Sequence, residues 1–102
     1  MLTPTTAQML LSKIEAAHKA RDTEALDSLF VNAYSLCGQG TDHLSIGFDF
    51  LASKLDIANK EGDHARFGAL FELGLKWATT TDADRAAVWQ ELFLLGNEKV
   101  KP

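Results

Sequence analysis

Proline is confined to the two ends of the chain, at Pro4 and Pro102, so the residues between them contain no proline to interrupt a helix. Short turn-forming clusters recur instead about every 20 residues, at positions 20–22, 38–41, 60–62 and 79–81. This spacing leaves segments of helical length. It predicts five helices, near residues 4–20, 23–37, 42–60, 63–78 and 82–96.

Side chains that cap helices stand at each predicted start. Each of them can accept a hydrogen bond from the unpaired N–H groups of a first helical turn. The apolar residues of the second and fourth segments keep the three-four spacing of a single helix face, and no stretch alternates as a strand does. The sequence therefore predicts an all-α fold. The expected caps are Thr3, Asp22, Thr41 or Asp42, Asp63 and Thr81.

The third segment is apolar over an unusually wide arc. Ile46, Phe50 and Ile57 extend the face that Leu44 and Leu51 begin. A helix with so wide an apolar surface needs neighbours on several sides. We expect this helix to lie centrally in the domain.

The chain matches itself when it is shifted by 41 positions, which lays residues 10–30 on residues 51–71 without a gap. Composition alone would give roughly one or two identities over such a length. The first predicted hairpin, residues 4–37, then corresponds to the second, residues 42–78. The identical pairs are Leu10/Leu51, Ser12/Ser53, Lys13/Lys54, Ala17/Ala58, Lys19/Lys60, Asp22/Asp63, Leu29/Leu70 and Phe30/Phe71.

A repeated two-helix unit is typical of α-solenoids, in which each hairpin covers the open face of the next. Residues 82–96 would then begin a third, truncated unit. A simple antiparallel bundle of similar helices is the alternative, because such helices also resemble one another. The sequence leaves both arrangements open.

Two short patterns resemble the tetratricopeptide-like repeats. Leu73-Gly74 with Trp77 and a following Ala86 matches one portion of that signature, and Gly62-Asp63 with Phe71 matches another in a different phase. The period of 41 differs from the usual 34 of that family. The resemblance implies a protein-binding groove and transfers no functional residue.

Composition limits the classes of function that the chain can have. Its 102 residues, 46% of them hydrophobic, suit one domain, residues 1–102. No apolar run approaches the roughly 20 residues of a membrane span, and the single cysteine, Cys37, favours a reducing, cytoplasmic setting. Scattered basic residues and a net charge of −4 provide no footprint for nucleic acid. We expect neither a membrane nor a nucleic-acid partner.

Each residue that could serve as a metal ligand or a catalytic group also has a simpler structural role. Asp42-His43 and Asp63-His64 lack the tight spacing of metal ligands and read as helix caps followed by exposed histidines. His18 reads as a residue near a helix C-terminus, and Cys37 as a small core residue. Residues 38–41 follow a helix and lack the ending of a phosphate loop. We expect no metal, no cofactor and no catalytic residue.

The last predicted helix carries more apolar residues than one face can bury. Its neighbour, the end of the fourth helix, adds another large aromatic residue. These features favour a small non-enzymatic module that binds another protein or itself, with a homodimer as one form. The alternative is a small helical-bundle enzyme or ligand-binding protein that uses His18, His43 or His64 in a pocket. The predicted interface residues are Trp77, Trp89, Phe93 and Leu94.

Overall fold

The computed structural model describes residues 2–38, 40 and 42–97, and this part of the chain contains five α-helices and no strand. The predicted all-α fold is confirmed. Two predicted starts are one residue early, because Asp42 and Asp63 are caps and lie outside their helices. The helices are α1 (Pro4–Lys19), α2 (Thr23–Cys37), α3 (His43–Lys60), α4 (His64–Thr79) and α5 (Asp82–Gly96).

A predicted capping side chain precedes each of the five helices. Thr3, Asp22, Asp42, Asp63 and Thr81 each accept a hydrogen bond from the backbone N–H three residues later. The sequence left Thr41 and Asp42 as alternative caps for α3, and Asp42 is the cap. One carboxylate oxygen of Asp42 accepts from the Ser45 N–H, and the other accepts from the Ser45 hydroxyl at 2.7 Å. These bonds satisfy donors that a helix leaves unpaired at its N-terminus.

The α1–α2 turn and the α3–α4 turn have the same backbone structure. Arg21 and Gly62, which are 41 positions apart, both have a positive φ, of 56° and 70°. Asp22 and Asp63 follow them and cap the next helix in nearly the same conformation, with φ of −92° and −88°. The paired backbone bonds are Ala20→Ala16 and Glu61→Ile57, Arg21→His18 and Gly62→Asn59, and Asp22→Ala17 and Asp63→Ala58.

The first four helices close into a ring. Each packs against its neighbour in the chain, and α1 also packs against α4. An open solenoid would leave α1 and α4 apart, whereas this contact is typical of a four-helix bundle. Of the two arrangements that the sequence left open, the first four helices therefore adopt the bundle.

The fifth helix packs mainly on α4 and secondarily on α3. The predicted central place of α3 agrees with its contacts to α2, α4 and α5, although α4 has as many helical neighbours. The wide apolar arc of α3 is only partly covered, since Ile46 and Ile57 remain exposed. One side of α3, beside α5, is therefore an apolar surface. None of the helices in the described ranges is both long and apolar enough to cross a membrane.

Candidate functional site

The four predicted interface residues occupy three different environments. Trp77 lies in the core with 1% of its surface exposed, and Trp89 is half-buried beside it. Phe93 and Leu94 are 46% and 71% exposed. Helical geometry separates Phe93 from Leu94 by about 100° around α5, so the two side chains leave the helix in different directions. Phe93 faces α3, whereas Leu94 is on the outward side of α5.

Aromatic rings from α3 and α5 form a continuous group, which we call the aromatic face: Phe50, Trp89 and Phe93, with Ile46 at its edge. The Phe50 ring lies 5.3 Å from Trp89 in an edge-on contact and is stacked at 5.4 Å on Phe93, centroid to centroid. Trp89 and Phe93 are 6.0 Å apart. These distances are those of favourable aromatic pairs. The aromatic face is therefore a preformed surface.

A glycine and a lysine set the edges of the aromatic face. A Cβ on Gly96 would lie 2.6 Å from the Phe50 ring, so the end of α5 can approach α3 only because this residue has no side chain. The Lys54 ammonium lies 5.4 Å from the centre of the same ring, within the range of a cation–π contact. One end of the face is thus apolar and closely packed, with a positive charge beside it.

A cleft of about 500 Å³ opens where α3 begins, α4 ends and α5 begins. The buried Trp77 indole forms its floor against Gly47, where a Cβ would lie 2.4 Å from the indole. Trp89 belongs both to the cleft and to the aromatic face. The volume falls within the roughly 300–1,000 Å³ of small-ligand sites. The lining residues are His43, Ile46, Gly47, Trp77, Asp82, Arg85, Ala86 and Trp89.

Arg85 holds the polar wall of this cleft in place. Its guanidinium donates to the carbonyl oxygens of Trp77 at 3.3 Å and Thr80 at 3.0 Å, near the C-terminus of α4, and it forms an ion pair with Asp82. A cation is favourable beside the carbonyl end of a helix. The junction between α4 and α5 is therefore braced, and the two tryptophans keep a defined separation of 6.3 Å between ring centroids.

The histidines do not gather at the cleft. His43 lies on its wall, whereas His18 and His64 meet at the opposite end of the bundle, where α1 ends and α4 begins. In the described part of the chain, no group of three His, Cys, Asp or Glu side chains could hold a metal ion. The alternative of a histidine-containing pocket therefore retains only His43.

Cys37 is buried at the end of α2. Burial, together with the negative charges of Asp49 and Asp42, raises the pKa of its thiol to about 11. A nucleophilic cysteine needs its thiolate form near neutral pH. Cys37 is therefore placed as a core residue, as the sequence suggested.

The sequence named the α5 residues of this surface but did not pair them with α3. The signal for α3 was its wide apolar arc, which included Ile46 and Phe50. Two glycines, Gly47 and Gly96, also mark the close approaches, but nothing local in the sequence indicates which ring each glycine faces. The partnership between α3 and α5 is a tertiary property.

Comparison with known proteins adds no relative from which residue roles could be transferred. No protein-family model matches the chain, and no curated protein and no solved structure matches it. The tetratricopeptide-like resemblance stays a prediction.

Proposed function

We propose that the protein is a non-enzymatic helical module that binds an apolar helix of another protein, or of a second copy of itself, across the aromatic face. The observation that carries this proposal is the row of mutually contacting rings, Phe50, Trp89 and Phe93, between two helices. Single exposed apolar residues are common on protein surfaces, whereas a contiguous apolar patch marks an interaction site.

Two helices with apolar residues along their junction suit a helical partner, whose apolar face can lie in the groove between them. Ile46, 55% exposed, and Phe93 stand on opposite sides of this junction. Half-buried aromatic anchors such as Trp89 supply much of the affinity of such interfaces. Trp77 is buried and would contribute only by packing against Trp89 and supporting its position. Leu94, on the outward side of α5, would contact a partner only at the margin.

The test compares Phe93→Glu with Val31→Glu. Val31 on α2 is also strongly exposed, at 66%, and lies outside the aromatic face, so it controls for a new surface carboxylate. We expect a partner recovered from the native source to bind wild type and Val31→Glu alike. Loss of an anchor of about 2 kcal/mol or more would weaken binding by Phe93→Glu about 30-fold. Equal binding by both variants would refute the proposal.

Sedimentation over a range of concentrations tests the self-associating form. A wild-type dimer that dissociates on Phe93→Glu and persists in Val31→Glu would identify the second copy as the partner. A wild type that is monomeric at all concentrations would exclude a homodimer and leave only a different protein as the partner.

A second candidate function is the binding of a small aromatic molecule in the cleft, which the volume of the cleft and its lining by the indoles of Trp77 and Trp89 favour. Ala86 lines the cleft, whereas the adjacent Ala87, which is also exposed, does not. Naphthalene added to the protein would quench tryptophan emission saturably in wild type and Ala87→Leu. Ala86→Leu would abolish the saturation. Unsaturable quenching in wild type would exclude this function.

A further inference from the structure

Three basic side chains converge at the end of the bundle opposite the cleft. The Nη1 atom of Arg21 lies 2.7 Å from Nδ1 of His64, and Nε2 of His18 lies 3.1 Å from the same nitrogen. They come from the α1–α2 turn, the start of α4 and the end of α1. We call these three residues the basic cluster.

The basic cluster forms no ion pair with a carboxylate in the described part of the chain. None of the ion pairs among the described residues includes any of its members. Asp22 and Asp63, adjacent to it in sequence, use their carboxylates as helix caps: they accept from the N–H groups of Ala25 at 3.1 Å and Arg66 at 3.0 Å. Among the described residues, no carboxylate therefore forms an ion pair with Arg21 or with either imidazole.

The stacking of His18 on Phe67 orients one member of the basic cluster. The two rings are nearly parallel, at 10°, with their centroids 3.9 Å apart, and Phe67 is buried. This contact holds the imidazole plane, so that Nε2 is directed toward His64. A donor fixed by packing loses less conformational entropy on binding a ligand than a free side chain does.

Arg21 occupies a backbone conformation that favours glycine. Its φ of 56° is in the left-handed region, and the corresponding position of the second turn is Gly62. A side chain with a Cβ is sterically disfavoured in that conformation, whereas glycine is not. Residues kept in such a conformation cluster at functional sites.

Comparison of the two hairpins shows that the fold requires none of these three basic residues. Shifting His18 and Arg21 by 41 positions leads to Asn59 and Gly62, and shifting His64 back leads to Thr23. At each of the three positions, the same turn geometry is thus formed with a neutral residue in the other hairpin. Stability of the turn does not explain the basic cluster.

We propose that the basic cluster is a binding site for a phosphate-type oxyanion. In the structure, Arg21 and His18 are both within hydrogen-bond distance of Nδ1 of His64. A phosphate would replace this nitrogen as their acceptor, and its several oxygens suit groups from three elements better than the two oxygens of a carboxylate. The anion would also supply the cluster with a counter-charge, since no carboxylate among the described residues forms an ion pair with it. Arg21 and His64 are exposed and His18 is half-buried, so we expect weak binding of inorganic phosphate.

Each hairpin supplies test variants for the other. Arg21→Gly, His18→Asn and His64→Thr each install the residue found 41 positions away, so each is compatible with the turn. Lys19→Gln removes a positive charge beside the cluster without touching it, since Lys19 pairs with Glu15. Nuclear magnetic resonance of the imidazoles during titration with inorganic phosphate, at constant ionic strength set with chloride, reports on the site directly.

Wild type and Lys19→Gln should show saturable shifts of the His18 and His64 resonances. Arg21→Gly should bind phosphate about tenfold or more weakly, since a hydrogen bond to a charged group is worth about 1.5–3 kcal/mol. Shifts that do not saturate, or that are as large in Arg21→Gly as in wild type, would overturn the proposal.

Vesicles of phosphatidylcholine with phosphatidic acid distinguish a lipid headgroup from a free anion as the source of the phosphate. Binding to these vesicles that needs Arg21 and that free phosphate competes away would identify the headgroup. Saturation by free phosphate without vesicle binding would identify a soluble anion.

Discussion

Replacing Gly62 by alanine tests whether the turn between α3 and α4 depends on a left-handed residue. The φ at Gly62 is 70°, and a Cβ there would have no atom within 4 Å, so the substitution adds no clash. The backbone penalty is about 1–2 kcal/mol. The lower entropy of the unfolded alanine chain offsets about 0.4–1 kcal/mol of it. The midpoints of these two ranges give an expected net loss of unfolding free energy of about 0.8 kcal/mol.

Gly68 provides the matched control for this substitution. It lies inside α4, and a Cβ there would also meet nothing within 4 Å. Alanine is better than glycine in a helix interior by about 0.5–1 kcal/mol. The same chemical change should therefore stabilise the protein at Gly68 and destabilise it at Gly62.

Urea denaturation followed by circular dichroism measures both variants. The midpoint should fall for Gly62→Ala and rise for Gly68→Ala with an unchanged slope, and their melting temperatures should differ by several degrees. A Gly62→Ala variant as stable as wild type would show that the left-handed backbone conformation at position 62 does not require glycine.

Three further outcomes follow from the same structure. Arg21→Gly should raise the urea midpoint, because glycine removes at position 21 the same left-handed strain that Gly62→Ala introduces at position 62. A lower midpoint would show that the Arg21 side chain stabilises the turn. Cys37, with a thiol pKa of about 11, should react with a disulfide reagent at neutral pH only after unfolding, and rapid labelling of the folded protein would contradict its burial. Burial, with the positive charges of Arg21 and His64, holds the pKa of His18 below its usual 6.5. The unfolded chain then binds the proton more readily, so stability should be full above pH 6.5 and decline as the pH falls through the lowered pKa. In His18→Asn, the urea midpoint should fall less between neutral and mildly acidic pH than it does in wild type. The same pH dependence in both proteins would contradict this role of His18.

The helix starts and the two like turns were predictable because they depend on nearby residues. Asp22 and Asp63 cap their helices through bonds that span three residues, and the left-handed position precedes each by one residue. Such contacts are encoded within a short stretch of chain. The pattern of eight identities at a shift of 41 therefore corresponds to two turns with the same hydrogen bonds.

The aromatic face was predictable only in part. Trp89 and Phe93 were expected at an interface from the crowding of α5, but the sequence treated Trp77 as equivalent to them. Trp77 is buried because Gly47 leaves room for its indole, and that contact joins residues 30 positions apart. Exposure depends on which helix comes to lie opposite, and no local pattern carries that information.

The sequence by itself determined that the chain is helical, where each helix begins, and that two turns are built alike, since these properties depend on local hydrogen bonds and on helical periodicity. Only the tertiary structure decided that α1 packs against α4 and closes a ring. The physical reason is that burial of an apolar stripe stabilises a helix without specifying which helix covers it. The same holds for the aromatic face and the basic cluster, whose members are far apart in sequence and meet only after the helices have packed.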